Sequence, residues 1–539
     1  MSKVSGTDFV PGTVHLVDID GDLDVKKSMG SVILRPAPSS NPNDPLRWSK
    51  FKKLKQFFLL FWLATFLAIT VNWSGPAWTL WTIEWNCTFD QLNISSALCF
   101  LFLGVGCLFL QPTAMKLGRR FVYLSCTVIM IVANIVGATC DNVQTYYVVN
   151  ILAGFAAAPC DSLVEISTTD VFFQHERATY LSCFILALYV GSDVGPAISG
   201  FIIDTIGWRW CFWLQAIMFG CILVVEVFYM EDTTFRRDAG NDDSLENEIL
   251  DQIKSRESKD PTGVHHHEVE SDLQSIDETI PIRTYKERMT LYTTVYNDTR
   301  SWLCIFYRPF FMISFPAVIW GGVVYGAQMM WLSLLATTQS EIYSVSPYYF
   351  SASITGLTNF SPMVGSILGM MMGPVVDKVT IYLTKRNGGI MEPEFRLYMM
   401  VLPLITNAAG LVAYGIGSVS SSPWPVSVIV GQGFLGFAMS SSGTICLTYV
   451  IDCYHDMASE GLVLMLFMRN VIGMAFTFAI QPWLTRDGLK VTTWIMFALS
   501  VVINGSFLLM VLCGKSFRRW TANSYHKYSK PDFGELFKR

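Results

Sequence analysis

Stretches of roughly 20 predominantly apolar residues, the length that crosses about 30 Å of hydrocarbon, follow one another along almost the whole chain. Lipid offers no partner to a backbone N–H or C=O, so each stretch must close its hydrogen bonds on itself as a helix. This reasoning predicts about twelve spanning helices. Of the 539 residues 52% are hydrophobic and only 15% charged, a balance that excludes an ordinary water-soluble enzyme.

The first run extends from about Phe57 to Thr82, the second from Ile94 to Leu110 and the third from Phe121 to Ala138. The fourth covers Tyr146 to Thr169, the fifth Thr179 to Ile203 and the sixth Cys211 to Tyr229. A polar segment beginning "EDTTFRRDAGNDD" then carries no run of spanning length and reads as a flexible linker with some short helix. Six further runs start near Phe310, Tyr349, Leu397, Pro425, Gly461 and Val491. The expected architecture is an all-α membrane protein of twelve transmembrane helices in two six-helix halves. Its parts are a disordered tail over 1–45, a first half with a preceding interfacial helix over 46–230, a linker over 231–307, a second half over 308–512 and a basic tail over 513–539.

Lys and Arg in short loops stay on the cytosolic side. "KFKKLK", "KLGRR", "DKVTIYLTKR" and the tail "KSFRRW" fall on one side, so both termini are expected in the cytosol. The first loop on the opposite side holds two glycosylation sequons, at Asn86 and Asn93. The polar first 45 positions read as no cleavable signal peptide. A net charge of -5 gives no case for a nucleic-acid partner. The 13 cysteines lack paired metal-ligand spacing and read as packing residues. Cys87 and Cys140, both on the far side, are candidates for a disulfide, although nothing in the sequence fixes their distance. "HHHE", from His265 to Glu268, reads as a solvated charge run in the linker. No zinc motif, phosphate loop or nucleophile elbow occurs, so no metal, cofactor or enzymatic activity is expected. "NPNDPLRW" reads as a turn, with Asp44 as helix cap and Pro45 at the first helical position, leading into a short interfacial helix with Leu46 and Trp48.

The fourth run contains "APCDSLVEIST", with Asp161 and Glu165 one helical turn apart. A carboxylate at the centre of a spanning helix costs about 2.5 to 3.5 kcal/mol, so both should face water, a partner or a ligand. Asn150, Gly154, Ala157, Asp161 and Glu165 recur at steps of three and four and share one polar or small-residue stripe. Asp193 adds a third acid in the fifth run. Such acids hold protons or neutralise a cation, and Arg469 in the eleventh run is a competing ion-pair partner for any one of them.

"GSDVGPAISG", residues 191–200, resembles the antiporter motif of the major facilitator superfamily, with Gly191, Gly195, Pro196, Ser199 and Gly200 on its positions. "QPTAMKLGRR" resembles that superfamily's loop motif between helices two and three. Lys116, Gly118, Arg119 and Arg120 match, while Gln111 and Met115 replace its glycine and aspartate. The corresponding "GPVVDK" after helix eight keeps Gly373, Asp377 and Lys378. Asn150 stands where the superfamily commonly has arginine. With "NPNDPLRW", "VFFQHER" and "FMRN", the whole chain resembles the fungal drug:proton antiporter branch and, within it, the yeast histidinol and polyamine permease group.

The resemblance implies an alternating-access carrier whose halves rock around a central cavity lined by helix four. The loop charges would hold the halves together on the cytosolic side. It places Asp161, Glu165 and Asp193 at a site for an organic cation, with Arg469 and Asn470 of "FMRN" beside them. Trp73 and Trp78 in helix one and Tyr325 and Trp331 in helix seven would form aromatic walls, and Gln328 and Gln432 polar contacts. The expected function is uptake of organic cations, polyamines first, with or without protons, by a monomer in the plasma membrane. The alternatives are a drug:proton exporter, a carrier of neutral or anionic solutes, and a non-transporting nutrient sensor; the vacuolar membrane is the other location.

Overall fold

The computed structural model describes residues 10–16, 27–28, 32–33, 39–235, 280–292, 301–343, 348–350, 352–420 and 422–529. Helix follows hydropathy closely. In the first half the spans are α1 (Lys50–Asn72), α2 (Phe89–Leu117), α3 (Arg119–Ala138), α4 (Val143–Val171), α5 (Arg177–Thr205) and α6 (Arg209–Tyr229). In the second they are α7 (Pro316–Tyr343), α8 (Phe360–Met370, continued by Met372–Arg386), α9 (Val401–Val419) and α10 (Gly433–Cys453). Eleven segments among the described residues are long and apolar enough to cross a membrane. The last, Ala458–Tyr528, is broken at Gly488, where φ is 73°, and so supplies both α11 (458–487) and α12 (489–505, continued by Phe507–Ser529).

An even number of spans puts the linker and both described chain ends on one side, the linker face. Caps set the helix starts: Ser49 accepts from the Lys52 N–H at α1, and Thr88 and Gln91 form a reciprocal capping box at α2. The first span ends earlier than the hydropathy suggested. Pro76 brings no N–H to the ladder, so the chain turns through Gly75–Ala77 and restarts as a separate short helix, Trp78–Glu84, on the far face.

Within the first half, α1 and α5 approach so closely that a methyl group on Gly191 would run into the Thr65 carbonyl. The halves meet along α2–α11, α5–α8 and α5–α10. At Gly373 of α8 a Cβ would stand 2.7 Å from the Ala178 carbonyl of α5, so the interface there is built on backbone contact.

Three segments outside the spans depart from expectation. Residues 10–16 belong to the stretch expected to be disordered, yet Val14–His15 pairs antiparallel with Ile390–Met391, the Leu16 N–H bonds Gly389 O at 3.0 Å, and Arg518 donates to Pro11 O and Thr13 Oγ1. The basic tail is helical through Ser529, with Arg518 and Tyr525 buried. "NPNDPLRW" forms a one-turn 3-10 helix, Pro45–Arg47, capped by Asp44 as read, and it packs on protein. Leu46 is buried, and Asn43 grips the linker through Pro281 O (3.1 Å) and the Arg283 N–H (3.0 Å). A second short helix, Trp302–Phe311, links the halves and buries Ile305, Arg308 and Pro309. Its Trp302 Nε1 donates to Thr113 of α2 (3.3 Å), while Arg308 pairs with Glu460 of α11 (3.3 Å).

Candidate functional site

A small cavity lies between the halves, lined from one side by α1, α2, α4 and α5 and from the other by α7 and α11. Its polar lining is Asn72, Asp161, Tyr189, Ser192, Tyr325 and Arg469; the rest is apolar, with Leu67, Phe100 and Met329 among it. Leu67, Val71 and Asn72 belong to the last turns of α1 before the far face, so the cavity extends from mid-membrane in that direction.

Asp161 reaches the cavity because Pro159 and the small residues before it let α4 pack tightly on α2, leaving its acidic stripe toward α11. Its carboxylate is paired with Arg469 of the opposite half, and Asn470 Nδ2 donates to the same oxygen at 3.3 Å. Arg469 also donates to Asn470 Oδ1 (3.2 Å), and its guanidinium lies 4.8 Å over the Tyr325 ring. An ion pair removed from water gains little unless further hydrogen bonds complete it, and here Asn470 supplies one of them.

The other expected acids do not line the cavity. Glu165 is sealed at 0% exposure one turn toward the linker face, and neither of its oxygens has a hydrogen-bond partner among the described residues. Asp193 is buried on the α5 face that packs on the second half, while its neighbour Ser192 faces the cavity. Of the four aromatic candidates only Tyr325 lines it. Trp73 packs edge-on against Phe212 (4.7 Å) and Trp78 lies beside it, because the break at Gly75 turns this end of the chain toward α6. Trp331 is buried edge-on to Phe476 (6.4 Å). Gln328 and Gln432 are bonded within the second half, to Asn504 (3.2 Å) and the Tyr343 hydroxyl (3.1 Å). Residues the sequence reading missed are Asn72, Tyr189 and Ser192, polar side chains spaced along otherwise apolar helices.

Beneath the cavity the linker face is shut by a buried charge network. Arg396 donates to Asp452 (2.6 Å), to Asp377 (2.9 Å) and to Gln174 O (3.3 Å). Asp452 also pairs with Arg177 of the first half (3.3 Å), and Asp377 accepts from Thr179 N–H (3.0 Å) and hydroxyl (2.9 Å). Asp377 was an expected motif residue; Arg177, the last residue of "VFFQHER", was given no role, and Arg396 and Asp452 were not singled out, although each is a charge at the linker-side end of an apolar run. Lys378 is exposed.

Elsewhere in the motifs, Arg119 pairs with Asp170 (2.5 Å), and Arg120 holds the carbonyls of Val227 (2.6 Å), Thr290 (2.8 Å) and Met289. Gly118 caps α2, and Lys116 lies in that helix's last turn. In α5, Gly195 faces Ile69, Ser199 donates to Trp73 O (2.7 Å), and Pro196 lies near Gly356 of the second half; Gly200 has open space.

Of the two sequons, Asn86 is exposed in a left-handed turn (φ 49°), whereas Asn93 is buried inside α2 and its Oδ1 has no partner, so no glycan fits there. Cys87 and Cys140 are both free and buried in an aromatic cluster. His265 to Glu268 lie outside the described residues.

The sequence profile described as Major Facilitator Superfamily matches residues 60–477. Protein HOL1 of Saccharomyces cerevisiae is 29% identical over 96% of this chain and 97% of its own. An uncharacterized MFS-type transporter of Schizosaccharomyces pombe is also 29% identical, over 96% of this chain and 94% of its own. Among solved structures, the proton:xylose symporter XylE superposes with a TM-score of 0.60 at 11% identity, over 86% of this chain and 97% of that one. The human organic anion transporter MFSD10 gives 0.51 at 14%, over 86% and 99%.

Proposed function

Because the chain belongs to the major facilitator superfamily and is a secondary transporter rather than an enzyme, we propose that it carries organic cations, polyamines first, into the cell. The supporting observation is Asp161, a carboxylate facing the cavity between the halves beside the ring of Tyr325. A carboxylate and an aromatic face are the two groups that bind an ammonium. The resemblance to the yeast histidinol and polyamine permease group agrees with this chemistry.

We place the linker face in the cytosol on the charge bias of the loops, and the protein in the plasma membrane on the resemblance to the permease group. With the gate of Arg177, Arg396, Asp377 and Asp452 closed, the cavity would then accept solute from outside. A trivalent cation entering down a potential of about 100 mV, inside negative, gains roughly 7 kcal/mol, so uptake requires no proton.

Labelled spermidine uptake into transporter-deficient cells tests the reading. Uptake by the wild type and loss of at least about 90% of it in a correctly placed Asp161→Asn variant is the expected result. No uptake by a correctly placed wild type removes polyamine import.

One observation favours a second reading. Glu165, dry and without a partner, suits an acid that carries a proton, as a proton-driven exporter of xenobiotics would need. Transport that follows an imposed pH gradient and ignores the membrane potential would select that reading.

A further inference from the structure

The cation site is already filled by a cation of the protein's own. Asp161 and the Tyr325 ring, the two groups that would hold an ammonium, are engaged by the guanidinium of Arg469. That guanidinium is not fully satisfied: its Nε is buried with no hydrogen-bond partner among the described residues. One turn away toward the linker face, both oxygens of Glu165 are equally bare, and Glu165 lies within electrostatic reach of Arg469. A spare donor on Arg469 and two spare acceptors on Glu165 are therefore buried within reach of one another, the acceptors outside the cavity lining.

The geometry points to Arg469 as a tethered stand-in for the substrate: it occupies the site of Asp161 and Tyr325 in the empty carrier, and an incoming ammonium displaces it toward Glu165. This rests on the cation-carrier reading and adds the residue that vacates the site. The exchange does two things. It keeps Asp161 neutralised when no solute is bound, so the empty carrier can reorient without dragging a bare carboxylate through a dry cavity. It also makes positive charge an entry requirement, because a neutral solute cannot replace Arg469 at Asp161. The resident side chain lowers apparent affinity by the fraction of time it holds the site.

The test uses full-length protein in lipid nanodiscs and liposomes, with labelled spermidine as probe. Arg469→Gln is expected to bind spermidine about tenfold tighter than wild type. It should lose most net uptake yet retain spermidine/spermidine exchange, since the loaded carrier still reorients. Glu165→Gln, nearly isosteric and outside the ion pair, is expected to weaken binding about tenfold, because the displaced guanidinium finds a poorer acceptor. A role confined to structure would depress net uptake and exchange together.

If the wild type binds and folded Arg469→Gln binds no tighter, the inference is overturned and the cation reading stands. Should Arg469→Gln fail to fold, unchanged affinity in Glu165→Gln overturns it. Failure of the wild type and both variants to bind overturns the inference and the polyamine reading together; binding by Arg469→Gln alone supports the inference in its extreme form.

Discussion

The gate at the linker face and the site at mid-membrane are built from the same parts, a buried aspartate of one half facing an arginine of the other, and differ in how completely they are satisfied. At the gate Asp377 and Asp452 each use both oxygens, and Arg396 donates to three acceptors. At mid-membrane Arg469 keeps a spare Nε–H and Glu165 two bare oxygens. Carboxylates with both oxygens bonded hold one arrangement, whereas a bare carboxylate beside an ion pair offers the arginine somewhere else to go. The first therefore acts as a lock and the second as a place where partners can be traded.

The comparison breaks most directly at Arg396. Arg396→Gln leaves two buried carboxylates short of their partner and is expected to cost about 3 to 5 kcal/mol. Thermal unfolding should show the loss, and maleimide labelling of Cys453, buried beside the gate, should rise. Arg469→Gln should cost less, because Asn470 still serves Asp161; equal losses would erase the distinction between lock and site.

A smaller effect tests how the lock depends on its surroundings. Gly12 lies against the backbone of Asp452 and Cys453 with φ 80°, so Gly12→Val is expected to release residues 10–16 at a cost of about 1 to 3 kcal/mol. Faster proteolysis of the amino-terminal segment, with Cys453 labelling raised less than in Arg396→Gln, is the expected outcome.

His175, beside the Gln174 carbonyl that Arg396 holds, gives a pH dependence. Burial holds its imidazole below the ordinary value, with Glu176 at 3.8 Å opposing the shift. The unfolded chain takes up this proton more readily, so stability is present above about pH 6.5 and falls as pH drops below it. His175→Gln should flatten that part of the melting profile. Asn43→Ala, which frees the linker from its turn, should have the smallest effect, about 0.5 to 1.5 kcal/mol in local protection of residues 280–292 from hydrogen exchange.

Spans and their division into halves were legible because lipid crossing imposes a length and an apolar composition on each helix. Asp161 was legible for the same reason, as a charge with no business in hydrocarbon. Trp73 and Trp331 were not, since an aromatic residue packs equally well against protein, lipid or ligand and nothing local tells them apart. Asn93 had a sequon's pattern but sits inside α2, a boundary the pattern does not carry. Gln328 and Gln432 were read as polar contacts of the cavity, but they bond Asn504 and Tyr343 on other helices of the second half, a pairing only the fold supplies. The gate escaped because Arg177, Arg396 and Asp452 look like ordinary flanking charges until the fold closes them on one another.

The strand at Val14–His15 bears on how the molecule is made. Thr13 and Arg518 stand 505 residues apart, so a segment among the first to leave the ribosome has partners among the last. Until α12 is inserted, residues 10–16 have no Arg518 to bind, and a contact of such long sequence separation closes late. Full docking of that segment thus waits for the helix that carries Arg518, and a chain stalled after its first half would leave it undocked.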